Sequence, residues 1–428
     1  LFMQSRYYIK RFTLLHKIIF FLLFFMVAGI FSVYFNVFGF KNLLYQNYPN
    51  LELRSYLFDK ESVMEKFEND FNVKFLPKTQ FLNLNIEKIK LNFTQSFNTN
   101  HSKSRSFKSF YLELLEDKIW IVDYLGGIYQ IKIKDIKNKK IDNIDLKAIN
   151  SNLSAIKILD TLIDDEYLYV SFVASKNNCK NLNIAVAKIN SQYLNFQNFF
   201  SSNECGEYIF GGRMQFYKHN NSNGLLFTTS NHPYDRPDNK PQSESSIFGK
   251  VLFIDFEKKN PIIFSKGHRV SQGLYAEDNL IISTEHGPRG GDEINKIIFN
   301  KNYGWPISSY GEKYTLSDTE KPTYLKNHAS LGFEEPIFVF LTAIGISEII
   351  RLPNNFSNHF VDNFIISSLW GSSLYRIKFD EHYNRVIFSE KIYIGQRIRD
   401  LKYHHKMKVI FLALEEEGEL GILSKLIN

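Results

Sequence analysis

The sequence predicts an all-β protein, a six-bladed β-propeller preceded by one N-terminal transmembrane helix. Two observations lead to this prediction. First, a β-rich run, a short turn and a second β-rich run recur six times, mostly at intervals of roughly 45 to 60 residues, which is about the length of chain that one propeller blade needs. Second, one long apolar run without charged residues precedes all six repeats. Six blades close a ring that leaves no exposed sheet edge.

The six repeats share one pattern: a strand, a loop at its end, and a second strand that returns beside the first. They cover residues 118–133, 166–189, 224–256, 279–299, 363–379 and 408–424. A pair of β-sandwiches is the alternative architecture. Sandwich strands would not recur with one shared two-strand pattern at this period, so the propeller is favoured.

The apolar run spans residues 18–40, and its 23 residues carry no charge. That length crosses a bilayer as a helix. Four basic residues precede the run, and by the positive-inside rule they keep residues 1–17 in the cytoplasm and send everything after the run outside. A cleaved signal peptide is the alternative, but the run is long for one and no A-x-A step ends it.

The chain is therefore expected to be a single-pass protein of the inner (plasma) membrane with its C-terminal domain in the periplasm or another extracytoplasmic space. The expected order is a basic cytoplasmic N-terminus (1–17), an anchor (18–40), a stalk (41–75) and the propeller (76–428).

The formal net charge of +7 does not predict a nucleic-acid partner. Four positive charges lie in residues 1–17, so the remainder carries about +3, and its lysines are too scattered to form a basic stripe. The chain has two cysteines, Cys179 and Cys205. In an exported protein they are suited to one disulfide, and two free thiols are the alternative.

The stretch TEHGPRGGDEINKI, Thr284 to Ile297, is unusually dense in glycine and charged residues. The Gly287-Pro288 step followed by two further glycines predicts a rigid turn with freely placed backbone carbonyls, which are hard oxygen donors that suit Ca²⁺. The alternative is a tight loop in which Asp292 and Glu293 cap backbone groups. The stretch is not a Walker loop, because it is not placed between a strand and a helix and lacks the Gly-Lys-Ser/Thr sequence.

Three stretches, GHRVSQGL (267–274), STEHGPRGGDEINKI (283–297) and NYGWP (302–306), follow each other in this order. They resemble the pyrroloquinoline quinone (PQQ)-dependent aldose sugar dehydrogenases, the soluble glucose/sorbosone dehydrogenase family, whose members are six-bladed propellers. FGGRMQF (210–216) and GQRIRDL (395–401) support the resemblance, which covers nearly all of the chain after residue 76.

The resemblance implies a cofactor site. Gly287 and Pro288 fall where backbone carbonyls of the family hold Ca²⁺, and Arg269, Arg397 and Arg399 fall where side chains meet PQQ. PQQ carries three carboxylates, and an arginine fork pairs with a carboxylate through two hydrogen bonds while staying charged. For Arg397 and Arg399, an ordinary strand with alternate outward charges is the alternative.

The chain departs from the family pattern where the chemistry would take place. The family's histidine base precedes the GGR signature, and here that position is Ile209, whose alkyl side chain cannot accept a proton. The aspartate that orients the base is replaced by Asn231. Val270 and Trp370 replace an asparagine and a lysine that contact the cofactor. His232 is the nearest substitute base in sequence, with an ordinary loop histidine as the alternative.

Other residues of the retained motifs are expected to be structural or aromatic contacts. Structural roles are expected for His268 and His286. Four aromatic residues form a cluster that is suited to stacking on a sugar or a ring cofactor, or to packing between blades. They are Tyr303, Trp305, Tyr310 and Tyr314.

Taken together, the sequence predicts a membrane-anchored, exported propeller of the quinoprotein sugar dehydrogenase family that binds a sugar-like or other polar ligand in its axial pocket. Catalysis by the family's histidine is not expected. The alternative is an active PQQ- and Ca²⁺-dependent aldose dehydrogenase that passes electrons to a membrane acceptor. A third possibility is an interaction propeller that binds a protein partner and whose axial cleft is plugged by Trp370 and Ile209.

Overall fold

Six antiparallel β-sheets arranged in a ring confirm the predicted six-bladed β-propeller. A computed structural model describes residues 79, 82–93, 99–102, 105–137, 142–176, 178–189, 193–231, 238–313 and 324–426. The predicted transmembrane segment (18–40) and stalk (41–75) lie outside these residues. Within them, none of the helices combines the length and the apolar character that a membrane crossing requires.

The strands of each blade follow one another in chain order from the propeller axis outward, except that blade 6 is completed by a strand from the start of the propeller. Blade 1 contains Phe110–Leu115, Lys118–Asp123 and Ile128–Lys132. Blade 2 contains Lys157–Ile163, Tyr167–Lys176, Cys179–Lys188 and Gln197–Ser201. Blade 3 contains Ile209–His219, Ser222–Asn231, Lys250–Asp255 and Pro261–Lys266, with Lys301–Asn302 added in parallel.

Blades 4 to 6 repeat the same order. Blade 4 contains Ser271–Glu277, Leu280–Glu285, Asp292–Lys296 and Phe338–Phe340. Blade 5 contains Ile346–Arg351, Asn363–Ser368, Ser373–Phe379 and Val386–Tyr393. Blade 6 contains Ile398–His404, Val409–Leu414, Glu419–Lys425 and then Leu84–Asn92, with Asn143–Asp145 added in parallel.

The remaining elements are short. They are the strand pairs Thr99–Ser102 with Arg105–Phe107 and Asn150–Ser151 with Tyr193–Leu194, the α-helix Ile133–Lys137, and the 3₁₀ helices Lys240–Gln242, His328–Leu331 and Asn358–Phe360.

The ring closes because the first strand of the propeller completes the last blade. Leu84–Asn92 pairs antiparallel with Glu419–Lys425, in a register that places Leu84 opposite Lys425 and Lys90 opposite Glu419. This pairing joins the two ends of the propeller chain through a ladder of hydrogen bonds. It also covers the sheet edge that blade 6 would otherwise expose.

The hydrophobic core consists of six layers, one between each pair of neighbouring blades. Strands of the blades are buried on both faces, and Asn363–Ser368 is buried at every position. This double burial explains why the repeats read as near-continuous apolar runs rather than as an alternation. Many of the abundant aromatic residues fill these layers, among them Phe110, Trp120, Tyr129 and Phe227.

The innermost strands of the six blades contact one another in cyclic order around the axis. Because every blade is built in the same order, these strands run in the same direction. The residues at which they begin therefore meet at one end of the axis, which we call the upper end. It is bordered by Ser109, Lys157, Ile209, Val270 and Arg397, each at or next to the start of an innermost strand.

A buried ion cluster occupies the middle of the axis. The Nη1 atom of Arg213 (blade 3) lies 2.9 Å from Asp160 of blade 2, 2.7 Å from Glu348 of blade 5 and 3.4 Å from Asp400 of blade 6. Its Nε donates to the carbonyl of Gln272 of blade 4 at 2.6 Å. Asp400 also accepts the backbone N–H of Leu112 of blade 1 at 2.8 Å. One guanidinium group and its partners thus connect all six blades.

The cluster keeps the arginine charged despite its burial. Burial alone would lower the pKa of Arg213, but the carboxylates of Glu348, Asp160 and Asp400 raise it above its ordinary value. A guanidinium removed from water is favourable only when it is paired and hydrogen-bonded in this way.

We expect Arg213→Met to lower the free energy of unfolding by about 3 to 5 kcal/mol, because three buried carboxylates would lose their common cation. Arg385→Met is the matched control, since the Arg385 side chain is 77% exposed. Denaturant unfolding of both variants measures the difference. Equal stability losses in the two variants would contradict the role given to Arg213.

Candidate functional site

The GHR stretch is held in place by a buried carboxylate of the neighbouring strand. Glu285 accepts the backbone N–H of Arg269 through Oε1, and its Oε2 lies 3.0 Å from Nδ1 of His268. Nε2 of His268 lies 2.8 Å from the Ser265 hydroxyl, and its ring stacks on Tyr303. His268 therefore supports the backbone of the site and does not project into it.

Arg269 is buried and directed toward the glycine-rich loop. Its Nη1 donates to the carbonyl of His286 at 2.8 Å, and its guanidinium lies 5.3 Å from the ring centroid of Trp305. Trp305 also packs against Tyr324. Tyr310 stacks on His328. The described aromatics of this region thus pack against protein groups, and Tyr314 lies outside the described residues.

The Gly287–Gly291 loop is a tight turn organised by Asp292. Asp292 accepts the N–H of Gly287 at 3.1 Å through one oxygen and those of Ile344 and Ile346 at 2.9 and 3.1 Å through the other. A Cβ on Gly287 would lie 2.2 Å from the carbonyl oxygens of both Gly290 and Gly291. Only glycine fits at position 287. Asp292 caps backbone N–H groups, as the alternative interpretation of this stretch as a tight loop predicts.

The described residues contain no group of three or more His, Cys, Asp or Glu side chains arranged to hold a metal. A Ca²⁺ ion at Gly287 and Pro288 would therefore depend on backbone carbonyls, as the resemblance implies. A tight, glycine-rich turn provides such hard oxygen donors without side chains.

A small polar cavity of about 10 Å³ lies behind the loop. Arg269, Glu285, His286, Glu293 and Trp305 are among the residues that line it. Burial, and then the neighbouring Glu285 carboxylate, raise the pKa of Glu293 to about 8. This volume is below the roughly 300 to 1,000 Å³ of ordinary ligand pockets. A ring-sized ligand would therefore have to lie on the axial side of the loop.

Arg397 and Arg399 share one buried carboxylate, which the sequence reasoning missed. Nε of Arg397 lies 2.7 Å from Oε1 of Glu415, and Nε of Arg399 lies 2.8 Å from Oε2. Burial alone would raise the pKa of Glu415, but the two arginines lower it to about 2. Both arginines are mostly buried, so the alternative of outward surface charges is wrong. The available signal was Glu415 itself, an acidic residue directly after a buried strand.

Basic groups of blades 4 and 6 converge at the upper end. Burial lowers the pKa of His286, and the positive charges of Arg269 and Arg399 lower it further against the opposing effect of Asp292. Arg399 also donates to the side chain of Gln272 at 3.4 Å. The structure therefore brings together arginines that are 130 residues apart in the sequence.

The positions expected for the base and its orienter are neighbours. Ile209 and Asn231 face each other across adjacent strands of blade 3. Ile209 is 1% exposed and packs in the core layer between blades 2 and 3. His232, the substitute candidate, lies outside the described residues. Nothing at position 209 can take up a proton.

The two other substituted positions differ from each other. Val270 is buried, and its carbonyl accepts the N–H of His286 at 2.9 Å. Trp370 is 58% exposed. The first is therefore part of the loop's support, and the second lies on the surface.

A disulfide joins Cys179 and Cys205, which resolves the two alternatives left by the sequence. It connects the hairpin of blade 2 to the segment that leads into Ile209. Glu204 of this segment accepts from the Ser246 hydroxyl at 2.8 Å and pairs with Lys240 at 3.0 Å. The bond and these contacts fix the segment beside the upper end of the axis.

The glucose/sorbosone dehydrogenase family model matches residues 109–423. Aldose sugar dehydrogenase YliI of Escherichia coli is 28% identical over 228 residues, which are 49% of this chain and 58% of that protein. The chain spans about half the length of the curated relatives it matches first.

Two solved structures share the fold. The soluble aldose sugar dehydrogenase of Escherichia coli in its apo form superposes with a TM-score of 0.64 at 18% identity, over 80% of this chain and 100% of that chain. The PQQ-bound aldose sugar dehydrogenase of Streptomyces coelicolor gives a TM-score of 0.55 at 16% identity, over 82% of this chain and 100% of that chain. At these identities the likeness concerns the fold alone.

We expect Glu415→Gln to lower the free energy of unfolding by about 3 kcal/mol at pH 7, since the pKa of Glu415 is about 2 in the folded protein against an ordinary 4.5. A lowered carboxyl pKa stabilises the fold above the unfolded pKa and loses this effect as the pH falls toward 2. The difference between wild type and variant should therefore shrink to less than half near pH 3.

Denaturant unfolding at pH 7, 5 and 3 measures this dependence. Glu166→Gln is the control, because Glu166 forms an exposed ion pair with Lys188, and such pairs contribute about 0 to 1 kcal/mol. A difference for Glu415→Gln that does not change with pH would contradict the paired state of Glu415.

Proposed function

This chain belongs to the glucose/sorbosone dehydrogenase family, and from that membership we propose that the upper end of its propeller axis binds a sugar-like or other polar ligand. Sugar oxidation through the family's histidine is not part of this function. The single observation that favours binding over sugar oxidation is the side chain of Ile209, which is buried in an interblade layer at the position paired with Asn231.

A missing base has a large kinetic consequence. A positioned general base contributes on the order of 10²- to 10⁴-fold to a rate. No histidine lies between Asn190 and Lys218 in the sequence, so a shift of one or two residues would not restore the base. Ligand binding needs only the polar and cationic groups that remain at the upper end.

The cationic groups suit PQQ, which one structural relative binds. Arg269, Arg397 and Arg399 are the residues that would meet its carboxylates, and the carbonyls of Gly287 and Pro288 would hold Ca²⁺. When bound in such a site, PQQ supplies an acceptor for hydride. Glu415 already pairs with two of the three arginines, so it would keep their guanidinium planes oriented and would offset part of their charge.

An active PQQ- and Ca²⁺-dependent aldose dehydrogenase is the second candidate function. The retained loop geometry around Asp292 and the convergence of Arg269 and Arg399 favour it. It requires a proton acceptor other than position 209. The third possibility, an interaction propeller with a plugged axis, has less support, because Ile209 lies between blades and Trp370 is exposed.

We further propose that the protein is exported and tethered by residues 18–40, so that the upper end works near a membrane partner, either an electron acceptor or another protein. The apolar run supports the tether. The disulfide between Cys179 and Cys205 supports an oxidising compartment such as the periplasm.

We expect the full chain to be stabilised by sugars but to reduce no dye with glucose when PQQ and Ca²⁺ are added. Melting temperature and PQQ absorbance are followed together, and dye reduction is measured in the same samples. Dye reduction that requires both PQQ and Ca²⁺ would contradict the proposal and establish the second candidate function.

The variant Ile209→His tests whether only the base is missing. If PQQ binds, the variant should exceed wild-type dye reduction by about 10²-fold or more, because it restores a proton acceptor. Ile209→Val is the control for changes in packing, since it removes one methylene without adding a polar group.

A further inference from the structure

One cation at the upper end has no carboxylate ion-pair partner among the described residues. Lys157 is the first residue of the innermost strand of blade 2. It is half-buried, and its Nζ lies 4.1 Å from the ring centroid of Phe210, the residue after Ile209. The amine therefore lies at the upper end of the axis, against the residue that follows the expected base position.

The surroundings of Lys157 are positively charged. Burial and then the charges of Arg399 and Lys180 lower the pKa of Lys157 to about 8. Among the described residues, no carboxylate forms an ion pair with its amine, whereas Arg399 has Glu415. A partly desolvated ammonium next to like charges is stabilised by an anion that enters the site.

The ring of Phe210 adds a second kind of contact. A cation beside an aromatic face offers one polar anchor and one apolar surface, the combination that orients small polar ligands in pockets. A neutral sugar would use the apolar surface but leave the charge of Lys157 without a partner. A sugar that carries a carboxylate would use both.

We propose that the upper end of the axis is a binding site for acidic sugars, with Lys157 pairing with the ligand's carboxylate beside Phe210. This inference rests on the proposed function, the binding of a sugar-like ligand at the same end. A carboxylate of PQQ could pair with Lys157 in the same way, so the test includes both an acidic sugar and PQQ.

The pH dependence follows from the charge of the amine. Lys157 is protonated below pH 8 and loses its proton above it, while Arg399 keeps its charge throughout. Binding of glucuronate should therefore weaken as the pH rises above 8. Because the bound anion favours the protonated amine, binding near pH 8 should take up protons.

The first measurement is the rate of acetylation of Lys157 in the full chain, followed by mass spectrometry at constant ionic strength. Added compounds are glucuronate, glucose, acetate and PQQ. Glucuronate should protect Lys157 at concentrations at least about tenfold lower than glucose or acetate. The exposed Lys378 is the internal control, and its rate should not change.

The second measurement is calorimetric binding to variants. Lys157→Met should remove the preference for glucuronate over glucose, and Lys157→Arg should keep most of it, because it keeps the charge. Lys378→Met removes one exposed charge elsewhere and should change nothing. The melting temperatures of the variants show whether each one is folded.

The outcomes separate this inference from the proposed function. Equal binding of glucose and glucuronate, or a preference that survives in Lys157→Met, would overturn the acidic-sugar site and leave sugar binding intact. Failure of both sugars to bind would overturn the proposed function and with it this inference. If PQQ protects Lys157 from acetylation and glucuronate does not, Lys157 pairs with a carboxylate of the cofactor, and the acidic-sugar site is rejected.

Discussion

The rest of this propeller depends on the ion pairs and hydrogen bonds that the guanidinium group of Arg213 forms at the axis. A six-bladed ring brings six polar strand backbones to one axis, where water is excluded and unpaired charges are costly. Arg213 pairs with three carboxylates from blades 2, 5 and 6 and donates to a carbonyl of blade 4, and its partner Asp400 binds a backbone N–H of blade 1. The apolar layers hold neighbouring blades together, and this cluster sets their common centre.

The fold could be predicted from the sequence because its signals are local and repeated. Strand, turn and returning strand recur, and apolar runs mark strands that are buried on both faces. The closing strand Leu84–Asn92 could not be predicted in this way, since its partner Glu419–Lys425 lies at the other end of the chain. The same applies to Arg213, whose carboxylate partners come from three other blades.

The candidate site was predictable only as far as the family motifs extend. Arg269, Arg397 and Arg399 could be named, but their partners could not. Glu415 pairs with two of them because adjacent strands of blade 6 place it opposite, a relation that depends on strand register. Lys157 carries no sequence signal at all, since an isolated lysine at a strand start is ordinary. Its importance arises from what surrounds it after folding.

The retained motifs do not by themselves imply a retained reaction. Glu285 and Asp292 bind backbone groups of the GHR stretch and the glycine-rich loop, and His268 binds Glu285 and Ser265, so replacing them would disturb the fold whatever the protein does. Ile209 and Asn231 occupy positions whose family residues serve proton transfer, and an alkyl group fits the interblade layer at Ile209. We propose that the chain keeps the residues that support its architecture and departs from the family at the reaction. In the proposed acidic-sugar site, the distinguishing feature of the upper end is Lys157, whose amine has no carboxylate ion-pair partner within the part of the chain that the structure describes.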